Sequence, residues 1–232
     1  MAMTPFSDTL RVDDIDELVE VFLQNGAAII QGDVCPEVLQ QLEQDLLCGP
    51  VKKQTTNLEG RLRYRAGWLE ECKIPWYENI LASNKLRQAL DLITINGSGE
   101  KGWKAGMCGG DEVAPMTHNM QDLHSDWAGY KTNSMRLGYA LVVSVAPRDV
   151  PVDLAPIRLV PWNRLGCIEE YPQRSQGDKD LFETGYELTL RAGEFLIRDC
   201  RVAHGGTPNR TVQSRCLPAV QIASPQMRRR GY

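Results

Sequence analysis

Several patterns are missing from this chain of 232 residues, and each absence narrows what it can be. It has no C-x-x-C pair. Its seven cysteines are scattered at 35, 48, 72, 108, 167, 200 and 216, so they read as reduced thiols rather than as a disulfide framework or a thiolate metal site. No apolar run approaches the roughly 18 residues that a membrane-spanning helix needs. Met1 to Leu10 carries neither the basic start nor the apolar stretch of a signal peptide, so a cytoplasmic protein with no membrane partner is expected. Positive charge is not in excess: 26 Lys and Arg stand against 30 Asp and Glu, a net charge of −4, which argues against nucleic acid as the partner. The one basic run, Arg228 to Arg230, reads as a solvated tail. There is no internal repeat. At 42% hydrophobic and 24% charged, the composition is that of an ordinary globular domain, and the length suits one domain.

The remaining pattern divides near residue 95. Ile15, Leu18, Val19 and Phe22 recur at helical spacing behind an acidic start, and Gly26 offers a left-handed stop. Ala27 to Ile30 reads as a short strand, a second helix begins near Pro36, and another is plausible from Asn79 to Leu92. Residues 58–76 give mixed signals around the cationic patch Arg61, Arg63 and Arg65. Beyond Ile95, short apolar runs alternate with Gly, Pro, Asn and Asp, and candidate strands fall at 103–107, 134–145, 156–160, 186–190, 194–197 and 215–222. The spacing leaves no room for crossover helices, which favours an antiparallel sandwich or barrel. The expected organisation is a single domain, 1–95 a helix-rich scaffold and 96–232 a β core. The span 163–180 is long and structureless enough to act as a lid.

Two motifs compete for the chemistry. Gly97-Ser98-Gly99-Glu100-Lys101-Gly102 matches G-x-G-x-x-G after a strand-like Leu92 to Ile95, but a dinucleotide site needs a helix to open at the third glycine. The residues that follow, Trp103 to Gly110, include three more glycines and no helical period, so a flexible loop is the better reading. The second motif uses two of only three histidines. His124 and Asp126 stand two apart, on one side of an extended segment, and His204 follows the apolar strand near 197. Two histidines and one carboxylate on one face of a metal leave positions open for a cosubstrate and oxygen, as non-haem Fe(II) oxygenases require, although the same set would bind zinc. Arg215 lies eleven residues after His204, enough for a turn and a return strand that points a guanidinium at the metal pocket. Such a fork suits a carboxylate of a dicarboxylate cosubstrate.

In this order the residues resemble the phytanoyl-CoA dioxygenase-like family of Fe(II)/2-oxoglutarate-dependent oxygenases. The likeness runs from the opening helix and Asn25 to Gly32, through Gln121-x-x-His124-x-Asp126, Leu154 to Pro161 and Ala192 to Ile197, to His204-Gly205-Gly206-Thr207-Pro208-Asn209 and Arg215. It implies a mainly β fold with N-terminal helices around a double-stranded β-helix, a jelly-roll, cupin-like barrel. It further implies that His124, Asp126 and His204 ligate Fe(II), that Arg215 pairs with the distal carboxylate of 2-oxoglutarate, and that Gln121 hydrogen-bonds near its chelating end. Relatives that halogenate leave the Asp126 corner open, so its carboxylate points to oxygen chemistry. The expected activity is oxidation of an unactivated C–H bond of a small metabolite, an amino acid or natural-product intermediate, by hydroxylation, desaturation or cyclisation. Trp127, Tyr130, Tyr139, Arg63 and Tyr64 are candidates for contacting the substrate. Pro161-Trp162-Asn163 departs from the family's Gly-Ser-His stretch at the rim. Two alternatives stay open: a cupin-like metalloenzyme that does not use 2-oxoglutarate, and a non-catalytic binding barrel.

Overall fold

The computed structural model describes residues 6–49, 53–56, 58–68, 76–98, 102–126, 140–161 and 185–225. The chain opens with α1 (Phe6–Leu10), β1 (Arg11–Val12), α2 (Ile15–Asn25), β2 (Ala27–Gln31) and α3 (Pro36–Cys48). Asp14 caps α2 by accepting from the Asp16 amide, and Gly26 ends it at φ 72°. Next come β3 (Lys53–Thr55), β4 (Arg61–Trp68), α4 (Trp76–Leu81) and α5 (Asn84–Ser98). The second half is β5 (Lys104–Val113), β6 (Ala140–Val145), β7 (Ile157–Val160), β8 (Tyr186–Leu188), β9 (Glu194–Asp199), β10 (Ala203–Gly206) and β11 (Arg215–Ala223).

Eight strands form one sheet in the order β1-β2-β9-β6-β11-β5-β4-β3, and three form a second in the order β10-β7-β8. The segment 121–124 runs along the free side of β10: His124 and His204 exchange both backbone hydrogen bonds at 2.9 Å, and the Gln121 amide donates to the Gly206 carbonyl at 2.8 Å. Strand alternation then assigns the two faces of the large sheet. Ala28, Ile30, Phe195, Ile197, Leu141, Val143, Val220 and Ile222 point outward and are buried under the helices with Leu18, Phe22, Leu42, Leu86 and Leu90. Ile29, Leu196 and Leu217 point inward and meet Leu159 and Leu188 of the small sheet. With both faces covered, β6 and β9 are buried at every position, which explains the apolar runs Ala140 to Val143 and Phe195 to Ile197 within them.

The double-sheet barrel, antiparallel in every named strand pair but β1–β2, agrees with the expected fold class. Three details differ from the sequence reading. The helix expected over 79–92 is two helices, α4 and α5, interrupted at Ala82–Ser83, where Ser83 accepts from the Leu86 amide. Leu92 to Ile95, which look strand-like, lie inside α5, because their apolar residues serve a helix packed on the sheet. A helix therefore precedes the glycines of the G-x-G-x-x-G match and a strand follows them, the reverse of the order a dinucleotide site requires. Finally, Arg61 to Trp68 form β4, a full member of the large sheet. Arg61 and Arg63 concealed it, since they face a polar cavity and not a core.

Candidate metal centre and cosubstrate pocket

His124 and His204 face each other because their backbones are paired across the small sheet, and their rings stand 4.4 Å apart, tilted by 47°. Gly205 permits that closeness: a Cβ there would lie 2.7 Å from the Gln121 carbonyl oxygen. The Asp126 amide donates to the Cys200 carbonyl at 2.9 Å, which brings its carboxylate to the end of β9. The ligand atoms of His124, Asp126 and His204 all lie within 4.8 Å of one another, with His204 Nε2 at 3.6 Å from Asp126 Oδ1. Each imidazole engages a backbone carbonyl through Nδ1, His124 with Asp122 at 3.0 Å and His204 with Val202 at 2.9 Å. These contacts suit the Nδ1–H tautomer, which leaves both Nε2 lone pairs for a metal.

The electrostatics favour the metal-ready state. Burial, and then the Arg198 guanidinium, hold the His204 imidazole well below its usual range, so it is neutral near pH 7. Burial works to raise the Asp126 carboxyl, but the charge and hydrogen bond of Arg198 outweigh it and keep it ionised. Arg198 itself, on the inward face of β9, donates from Nη2 to Asp126 Oδ2 at 2.6 Å. Two imidazoles held through Nδ1 and a carboxylate fit a divalent first-row metal.

The triad opens into a cavity of about 240 Å³ that also reaches Gln121, Arg61, Arg63, Asp111 and Arg215. Gln121 accepts from the Gly206 amide through Oε1 at 3.0 Å, so one of its jobs is to hold β10 in place. Arg215 is 2% exposed and points inward as expected, yet it already holds a carboxylate. Its Nη1 and Nη2 donate to Asp111 Oδ1 and Oδ2 at 2.7 and 3.1 Å, and its Nε to the Ala155 carbonyl at 3.0 Å. Arg61 donates to the same Asp111 at 2.9 Å and to the Thr207 carbonyl at 3.1 Å. The turn leading to Arg215 is organised by buried Asn209, which donates to the Val113 and Gln213 carbonyls and accepts from Thr211.

Among the substrate candidates, Arg63 is exposed on the cavity wall. Tyr64 borders the cavity, but its ring lies in the helix-covered core and its hydroxyl donates to Glu112 at 2.9 Å, so it offers no free phenol there. Strand alternation decides this, since neighbours in β4 face opposite ways. Trp127, Tyr130 and Tyr139 lie outside the described residues, as does the whole span 163–180. His118 is exposed, and it is not part of the three-residue cluster. Asp111 and Arg198 escaped the sequence reading. The only signal available was a charge embedded in an otherwise apolar or glycine-rich strand.

Residues 109–216 match the Phytanoyl-CoA dioxygenase (PhyH) family. That span carries the triad, Gln121, Asp111, Arg198 and Arg215, and the resemblance seen in the sequence is borne out. No curated protein matches the sequence. The PhyH-like barrel is also found among solved structures. AviO1 from Streptomyces viridochromogenes Tue57 is 14% identical, with a TM-score of 0.64 over 92% of this chain and 96% of that one. HygX from Streptomyces hygroscopicus, solved with nickel and 2-oxoglutarate, is 14% identical with a TM-score of 0.66 over 90% and 87%. The epimerase SnoN, in complex with Fe3+, α-ketoglutarate and nogalamycin RO, is 14% identical with a TM-score of 0.68 over 90% and 83%. At this identity the likeness establishes the fold. Among the described residues no helix is long and apolar enough to cross a membrane.

Proposed function

We propose that this chain is a non-haem Fe(II)/2-oxoglutarate-dependent oxygenase that oxidises an unactivated C–H bond of a small metabolite in the cytoplasm. The observation that carries the reading is the convergence of two Nδ1-anchored imidazoles and one carboxylate on a cavity with a buried arginine fork on its wall. The PhyH match, and the likeness to HygX solved with 2-oxoglutarate and to SnoN solved with α-ketoglutarate and nogalamycin RO, support it. His124, Asp126 and His204 would hold the metal, and Arg215 the distal carboxylate of the cosubstrate. When bound, iron and 2-oxoglutarate supply the oxidant for the C–H bond, and succinate and CO2 leave as co-products. The chain's own residues do the rest. Nδ1 hydrogen bonds fix both rings, Arg198 fixes the Asp126 carboxylate, and the barrel wall excludes water from the reacting bond.

The cosubstrate must contend with Asp111, which fills the Arg215 fork. In this reading Asp111 yields Arg215 to the dicarboxylate and keeps its bond to Arg61. The same contact favours a second reading, a cupin-like metalloenzyme in which Arg215 and Asp111 are a structural pair and no 2-oxoglutarate binds. Anaerobic titration of the Fe(II) protein with 2-oxoglutarate separates them. A saturable weak visible charge-transfer band, absent in His124→Ala, and succinate on admitting O2 support the oxygenase. A metal-binding protein that gives neither band nor succinate is the second.

A further inference from the structure

The cavity wall carries Arg61, Arg63, Arg198 and Arg215 against Asp111 and Asp126. Its two histidines add no charge when neutral, so the described wall has a surplus of two positive charges in a chain whose net charge is −4. Loading does not remove the surplus. A divalent metal adds two charges, a dianionic cosubstrate takes two away, and the surplus of two remains. A low-dielectric cavity makes such an excess costly unless a counter-anion arrives, and it draws anions in from solution.

Three of the four arginines are engaged within the wall: Arg61 and Arg215 share Asp111, and Arg198 holds Asp126. The Arg63 side chain makes no hydrogen bond or close ion pair with the described residues, although its charge reaches Asp111 at longer range. It lies on the same face of β4 as Arg61, opposite Asp111 in the β4–β5 register, and is exposed at the cavity wall. Arg198 also keeps Nε and Nη1 buried without an acceptor, and the carboxylate that partners it would be shared with the metal.

We propose that the primary substrate is an oxyanion, a carboxylate or a phosphate ester, and that Arg63 anchors its charged group in the cavity beside the metal and cosubstrate. This rests on the oxygenase reading above and adds to it the class of substrate.

The test uses three probes of similar shape, benzoate, phenyl phosphate and benzamide, titrated by ligand-observed NMR into Ni(II)- and 2-oxoglutarate-saturated protein. At least one anion is expected to bind about tenfold or more tightly than benzamide, because a charge-assisted bond is roughly twice as strong as a neutral one. Whichever anion is preferred names the group as carboxylate or phosphate. R63Q should abolish the preference and R63K should restore part of it. The proposal is overturned if benzamide binds as well as both anions, if neither anion binds up to about 20 mM, the weak end of measurable affinity, or if R63Q keeps the preference. A 2-oxoglutarate titration of the Ni(II) protein is read first. If it shows no saturable binding, the cosubstrate reading fails, and the three probes against wild type and R63Q on the Ni(II) protein alone still decide the anion site.

Discussion

Replacing Asp111 with Asn should weaken the empty protein and strengthen its hold on 2-oxoglutarate. In the structure the Asp111 carboxylate accepts from Arg215 twice and from Arg61 once, and the two arginines are 2% and 4% exposed. Asn retains one acceptor oxygen but no charge, so two buried guanidiniums would face each other uncompensated. Breaking a buried ion pair on one side costs about 3–5 kcal/mol, and the lower end applies because the Asp111 side chain is itself 29% exposed. At about 3 kcal/mol, a chain of this size should lose roughly 6–12 °C of melting temperature. The cosubstrate's distal carboxylate would then enter a fork with no resident competitor. The stabilisation on adding 2-oxoglutarate to the Ni(II) protein should therefore exceed that of wild type, as ligand linkage requires. Differential scanning fluorimetry gives the first quantity, and calorimetric titration of 2-oxoglutarate gives the second. A D111N protein that melts like wild type would refute the buried-charge account. One that binds 2-oxoglutarate more weakly would show that Asp111 orients Arg215 for the cosubstrate and does not compete with it.

Other outcomes follow from the same geometry. Arg198→Met removes the bond that fixes Asp126 and should weaken metal affinity about 10- to 100-fold by competitive chelator titration, the range usual for losing an outer partner of a metal ligand; unchanged affinity would mean that Asp126 needs no such support. Burial works to raise the Asp111 carboxyl, but Arg215 and Arg61 outweigh it and hold it below its ordinary value. The folded state thus takes up that proton less readily than the unfolded one. The resulting stability is complete above the unfolded pKa of about 3.9 and is lost as pH falls through the lower folded value. The acid limb of the wild-type melting profile should accordingly be steeper than that of D111N. Gly205→Ala places a methyl 2.7 Å from the Gln121 carbonyl oxygen, so it should part the 121–124 segment from β10 and cost metal binding as well as stability. A G205A protein with normal metal affinity would show that the pairing does not set the position of His124.

The sequence carried the local logic of the fold well. The 3.6-residue period and the caps at Asp14 and Gly26 mark α2, and Pro36 marks the start of α3, because helix signals are written in neighbouring residues. Strands β6, β9 and β11 were legible as apolar runs because the centre of the large sheet is covered on both faces. Strand β4 was not, since Arg61 and Arg63 serve a cavity, and Leu92 to Ile95 misled because a short apolar run does not say which period it obeys. The site was likewise half legible. His124, Asp126, His204 and Arg215 could be singled out because their residue types and spacing have a chemical meaning that survives without coordinates.

What only the tertiary structure decided is who meets whom across the barrel. That Arg215 is held by Asp111, that Arg61 shares the same carboxylate, that Arg198 grips Asp126, and that Tyr64 turns away into the core while Arg63 faces the cavity all depend on register between strands distant in sequence. A shift of one residue in that register sends every side chain to the opposite face. The sequence by itself therefore determined the kind of chemistry the chain is equipped for. The pairing of distant strands decided the charge of the cavity in which that chemistry would take place.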